Sequence, residues 1–312
     1  TTIQTLGRVH GLLGWVTSAG ARILTLGDYI KAYSIIDTLD NITPVRSTGT
    51  YANDPFAVVN LSTTVTVTHT THGGGENGFY VTIAGASAGG GITVSGEYLA
   101  TYVNANSYTI VHGSAATSTD ATTGGASATY SYDINPGKES TAYGLGYGAG
   151  AYGASTYGTA RSVVTGIQLE ARIWYIQKYG QNVLLAPSGG TLYEWDQASA
   201  ADRGVAVSNA PSAMRGMFVT TKGFICAFGT TTAMTFQMAD RDDKTDWTVT
   251  TLNRAMTRTL QQGNKLMAGA ALKDVDLLWS DTALYLLQYV ADTDIVYDDR
   301  VISKNQGLLA PQ

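Results

Sequence analysis

Four stretches of the chain repeat one short pattern: "ILTLGDYIKAYSII" (23–36), "VLLAPSGGTLYEWD" (183–196), "FICAFGTTTAMTFQM" (224–238) and "DLLWSDTALYLLQYV" (276–290). Each is an apolar run, then Gly, Ser, Asp or Thr, then a second alternating run. That is a hairpin pattern, because the small polar residues supply turn conformations while period-two alternation gives each strand one buried face. The later repeats are spaced by about 41 and about 53 residues, a period typical of β-propeller blades. One small sheet cannot bury both its faces, whereas stacked blades bury them against each other. The expected fold is therefore all-β, with a β-propeller-like body.

The first interval is far longer than one period and predicts an insertion. Between Arg46 and Lys138 there is no Lys or Arg, and segments such as "TTVTVTHT", "GFYVTIAGA" and "ASATYSYDI" alternate between Gly-rich turns. They read as a small β-sandwich or barrel module. The expected organisation is 1–60 for the first blades, 61–136 for the inserted module and 137–312 for the remaining blades. Taking the module out of the long interval leaves room for two blade periods. Leu277–Trp279 is expected to be an inner strand of the last blade. A Gly/Tyr-rich tract at 141–160 reads as a long loop, "IQLEARIWYIQ" (167–177) as a strand, and "TLNRAMTRTL" (251–260) as the one helix candidate. Trp174, Trp195, Trp247 and Trp279, each beside an expected strand, should anchor blade cores.

Composition narrows the function. A net charge of −5 argues against a surface that works by neutralising phosphates. No apolar run is long enough to span a bilayer, and the start lacks a charged region followed by an apolar one, so a soluble chain without a secretory signal is expected. The chain begins without Met and stops just after a strand-like segment, which suggests part of a longer protein. Cys226 lies in an apolar run and reads as a buried hydrophobe.

Candidate chemistry is sparse. His69, His72 and His112 suggest a metal site, but residues three apart on a strand face opposite ways, so His69 and His72 converge only through a turn. Exposed strand-end histidines are the preferred reading. Asp240, Asp242, Asp243 and Asp246 lack the Gly and Glu of a calcium loop and read as a capped turn before Trp247. No nucleophile or dinucleotide motif stands in a suitable context, so no catalytic, cofactor or metal residue is assigned and no enzyme is expected.

The segments 172–196, 210–230, 238–250 and 277–290, with "LDNITPVR" (39–46) and the closing "ISKNQGLLAP", resemble the propeller-containing tail hub or nozzle proteins of short-tailed bacteriophages, including the phage stabilisation proteins. "MADRDD" departs from the Trp-Ser-Asp expected at that turn, and the family's amino-terminal segment has no counterpart. The resemblance implies a structural virion protein in the tail, usually a ring of six copies below the portal and adaptor. Distal tail or fibre proteins would be its further partners. DNA would pass through the channel without sequence-specific binding. Tyrosine-rich loops and the insert would be interface elements, since Tyr combines apolar area with a polar tip. The alternative is a carbohydrate-binding or adhesive β-protein at a cell surface.

Overall fold

A computed structural model of the chain describes residues 4–75, 78–141, 170–198, 203–241, 243–290 and 296–311. Most of the Gly/Tyr tract, from 142 onward, and the first residues of the segment 167–177 lie outside these. The chain divides into two compact units, Thr1–Ile42 with Gly137–Gln312, and Thr43–Pro136.

The fold is all-β. The first unit opens with β1 (Val9–Val16), β2 (Arg22–Asp28), β3 (Ala32–Ile35) and β4 (Leu39–Asn41), an antiparallel meander that forms the first blade. The second unit holds β5 (Val45–Thr50), β6 (Phe56–Val58), β7 (Thr64–Thr68), β8 (Phe79–Ala84), β9 (Gly96–Asn104), β10 (Ser107–Val111), β11 (Asp120–Thr123) and β12 (Thr129–Asp133). The chain then returns to the first unit with β13 (Trp174–Tyr179), β14 (Asn182–Pro187), β15 (Tyr193–Trp195) and β16 (Val205–Ala206). A third blade holds β17 (Gly216–Val219), β18 (Ile225–Phe228), β19 (Thr235–Met238) and β20 (Met256–Thr259). The fourth holds β21 (Leu266–Ala271), β22 (Asp276–Ser280), β23 (Leu284–Tyr289) and β24 (Tyr297–Ser303). Each blade is a four-stranded sheet in sequence order, and together they make a propeller-like body.

The four repeated stretches are the second and third strands of the four blades. Their apolar density follows from position: β14 and β18 are buried on both faces, while β22 and β23 alternate between a buried and a half-buried face. Neighbouring blades meet through their first strands, β1 on β13, β13 on β17 and β17 on β21. So β22, expected as an inner strand, is the second strand of its blade, and the inner place belongs to β21. Close approach there depends on glycine. A Cβ on Gly27 would lie 2.3 Å from Trp174 Cδ1, and one on Gly269 would lie 2.2 Å from Phe218 Cδ1. β1 packs directly on β13, and among the described residues no blade stands in the long interval, where two periods were expected.

Two further expectations are corrected. The segment 251–260 forms no helix; Met256–Thr259 pairs with β19, and the Thr235 and Thr259 hydroxyls lie 2.8 Å apart. β-branched Thr257 and Thr259 suit a pleated edge, where ladder bonds outweigh a weak helical spacing. The inserted unit begins at Thr43 rather than 61, because β5 pairs along β12 and β6 along β7.

The inserted unit is one curled eight-stranded sheet, a half-barrel with strand order β11-β6-β7-β10-β9-β8-β12-β5. Alternation fills its interior with Val65, Val67, Phe79, Val81, Ile83, Tyr108, Ile110 and Tyr132. The outward positions Thr64, Thr66 and Thr68 stay exposed.

Candidate functional site

The densest polar constellation lies in the core of the insert. His69 follows β7, and the chain then turns through Thr71, held at a left-handed φ of 54° with its N–H on Asn106 Oδ1 at 3.1 Å. This turn brings His69 and His72 onto the same aromatic cluster, so the exposed strand-end reading fails. His72 is 2% exposed and stacks on Phe79 at 5.2 Å. Its Nε2 lies 2.7 Å from the Asn104 carbonyl, and its Nδ1 accepts the Gly74 N–H at 3.0 Å. His69 is half-buried, with Nδ1 2.6 Å from the Tyr132 hydroxyl. The Tyr108 hydroxyl lies 3.2 Å from that of Tyr132 and 2.6 Å from that of Tyr51.

Arg46 on β5 lies over the Tyr132 ring at 4.7 Å and donates to the His72 carbonyl at 2.7 Å. A cation against aromatic faces is favourable, and more so where water is excluded. Burial lowers the affinity of Arg46 for its proton, and nearby tyrosines and Asp133 partly oppose that. Burial raises the Tyr51 and Tyr108 hydroxyls far above their ordinary value, so both stay neutral. Burial first, then the charges of His72 and Arg46, holds His69 below its usual 6.5.

Sequence reasoning found the histidines but not their partners. Arg46 was visible as the last cation before the cation-free stretch, and the alternating "TYSYD" was visible as a strand. What was hidden is that β5 pairs with β12 and so carries Arg46 to Tyr132.

The other singled-out residues serve packing and turns. His112 is half-buried, pairs with the Ser114 carbonyl at 2.9 Å and lies against Tyr98. Among the described residues no three His, Cys, Asp or Glu side chains are grouped as a metal site. Asp243 and Asp246 accept the N–H groups of Thr245 and Thr248 at 2.8 and 3.2 Å, and the Asp240 N–H bonds the Asp246 carbonyl, in the turn before Trp247. Asp242 lies outside the described residues. Cys226 is fully buried, which pushes its thiol well up.

In the first unit the features that stand out are surfaces. Register places Leu12, Val16, Leu24 and Ile35 on one face of the first blade, away from Trp174 of the second. Leu12 is 62% exposed, and Val16 and Leu24 are exposed beside it. The fourth blade turns Leu278, Tyr285 and Leu287 into the core shared with the third. Its opposite face carries half-buried Leu277, Trp279, Leu284 and Leu286.

Trp174, Trp195 and Trp247 are buried as blade anchors, but Trp279 is not. Trp15, only 6% exposed, takes a core place instead. Acrylamide should therefore quench Trp279 more than the other tryptophans, and Trp279→Phe should remove most of the quenchable emission. Unchanged quenching in that variant would place the accessible tryptophan elsewhere.

Near the starts of the inner strands, Glu170 ties two blades together. It pairs with Arg215, just before β17, and with Lys265, just before β21, the latter at 3.1 Å. Burial alone would raise its carboxyl, but hydrogen bonds from Arg215 and Lys265 more than offset this and leave it below the ordinary range. A cavity of about 230 Å³ adjoins this pair, lined in part by Ile173, Met267 and Leu309. Among the described residues no helix is long and apolar enough to cross a membrane.

No family model matches the chain, and no curated protein matches it in sequence. Among solved structures, phage phi92 endosialidase aligns with a TM-score of 0.28 and 10% identity, over 90% of this chain and 47% of that one. The chain thus spans about half the length of that structure.

Proposed function

We propose that this chain is a non-enzymatic structural protein of a bacteriophage virion, acting as a subunit of an oligomeric tail hub or nozzle ring. The observation that carries the reading is the pair of partly exposed apolar faces on the first and fourth blades. They are surfaces suited to protein contact, since aliphatic and aromatic side chains left half in water gain most from a protein neighbour. The segments that carry the family resemblance support it further, because 172–196, 210–230 and 277–290 form strands of the second, third and fourth blades. In this reading the ring lies below the portal and adaptor and forms part of the channel for genome retention and ejection, with distal tail or fibre proteins beyond it.

Electron microscopy of the purified protein tests the proposal. A closed ring with an open channel is expected, whereas a monomer that persists at high concentration would overturn it. One observation favours a second reading, carbohydrate binding at a cell surface: Trp279 offers a half-exposed indole of the kind that stacks on sugars. Saturable quenching or enhancement of Trp279 emission by oligosaccharides would support that alternative.

A further inference from the structure

We propose that the hydrogen-bonded chain Tyr51–Tyr108–Tyr132–His69 is an acid-sensitive brace that holds the curl of the inserted sheet. Tyr51 follows β5, Tyr108 lies on β10, Tyr132 lies on β12 and His69 follows β7. No two residues joined directly in this chain come from neighbouring strands; the links run between the β7/β10 side and the β12/β5 side of the sheet. The three hydroxyl and imidazole contacts, at 2.6, 3.2 and 2.6 Å, therefore cross the interior and tie together parts that the backbone ladder leaves apart.

The chain has a direction set by its histidine end. A neutral imidazole with its proton on Nε2 lets Nδ1 accept from the Tyr132 hydroxyl. The Tyr132 oxygen then accepts from Tyr108, and the Tyr108 oxygen from Tyr51. Taking up a proton turns Nδ1 into a donor, so the hydroxyls must reverse along the chain, and the buried Tyr51 hydroxyl at its far end gives up Tyr108 as its acceptor. It also sets a second positive charge beside Arg46, whose guanidinium already lies over the Tyr132 ring.

The groups around His69 are Arg46 and Tyr51 from the β5 side, Tyr108 from β10, Tyr130 and Tyr132 from β12, and His72 from its own loop. Asp133, the carboxylate of this neighbourhood, acts on Arg46. The backbone N–H of His69 is held by the Asn106 carbonyl at 2.9 Å, which fixes where the side chain starts.

The direction of the effect follows from linkage. The folded state holds His69 below its ordinary value of 6.5, so the unfolded chain binds the proton more readily. The contribution to stability is full above about pH 6.5 and is lost as pH falls through the lower folded value.

Hydrogen exchange of the full chain between pH 8 and 5 tests the brace. Protection factors of β7 and β12 amides are expected to fall on acidification, while those of β14 in the other unit hold steady. His69→Gln should flatten the response, and Tyr132→Phe, which leaves His69 in place without its hydroxyl partner, should shrink it. An equal fall in both variants would assign the effect to another group such as His72 and overturn the proposal. A wild-type profile without any fall would overturn it as well. The outcome is independent of whether the protein forms a ring.

Discussion

Trp174→Ala is expected to destabilise the propeller-like unit by about 3 to 5 kcal/mol, the range for removing a large buried aromatic. Trp174 is 3% exposed at the start of β13. Its ring fills the space that Gly27 leaves open, with the nearest ring carbon 2.3 Å from where a Cβ would stand. Its Nε1 donates to the Asp28 carbonyl at 2.6 Å. The substitution thus leaves a cavity between the first two blades and a buried carbonyl without its donor. Each contributes separately, which places the effect toward the upper end. Urea unfolding followed by fluorescence of the remaining tryptophans, all in this unit, measures it. A loss below about 1 kcal/mol would mean that the first blade is not held by this contact.

Phe79→Ala should cost the inserted unit a similar amount, about 3 to 5 kcal/mol, and leave the other unit's transition in place. Phe79 is fully buried, stacked on His72 and set edge-on to Tyr108 and Tyr132 at 5.1 and 5.6 Å. A Cβ on Gly74 would fall 2.0 Å from its ring, so the chain passes over it as a close cover. Removing the ring takes packing from four residues at once, and aromatic pairs add to the area term. Two calorimetric transitions are expected, with the variant lowering one. A common shift of both would show that the two units unfold together.

The hairpins were legible because their information is local: an apolar run, a turn residue and a second run need no distant partner. Trp174, Trp195 and Trp247 were legible as core residues for the same reason. Trp279 reads the same way in sequence, yet its side of the fourth blade faces away from the third. Alternation tells which residues share a face but not which face is covered. The segment 251–260 shows the converse, since its apolar spacing was helical and its backbone found ladder partners on β19.

The inserted cluster was the least legible part. His69 and His72 were visible as a pair, but a strand reading sends them apart, and the left-handed Thr71 that joins them has no signature in a β-branched residue. Arg46 is 86 residues from Tyr132 along the chain and comes to it through the pairing of β5 with β12.

By itself, then, the sequence determined an all-β chain built from repeated hairpins and interrupted by a cation-free module, since these rest on composition and short-range periodicity. Tertiary structure alone decided where the module begins, which strand is innermost, which blade faces stay partly exposed and how a half-buried arginine, two histidines and three tyrosines meet. Those depend on pairing between residues far apart in the chain, which a period of two cannot encode.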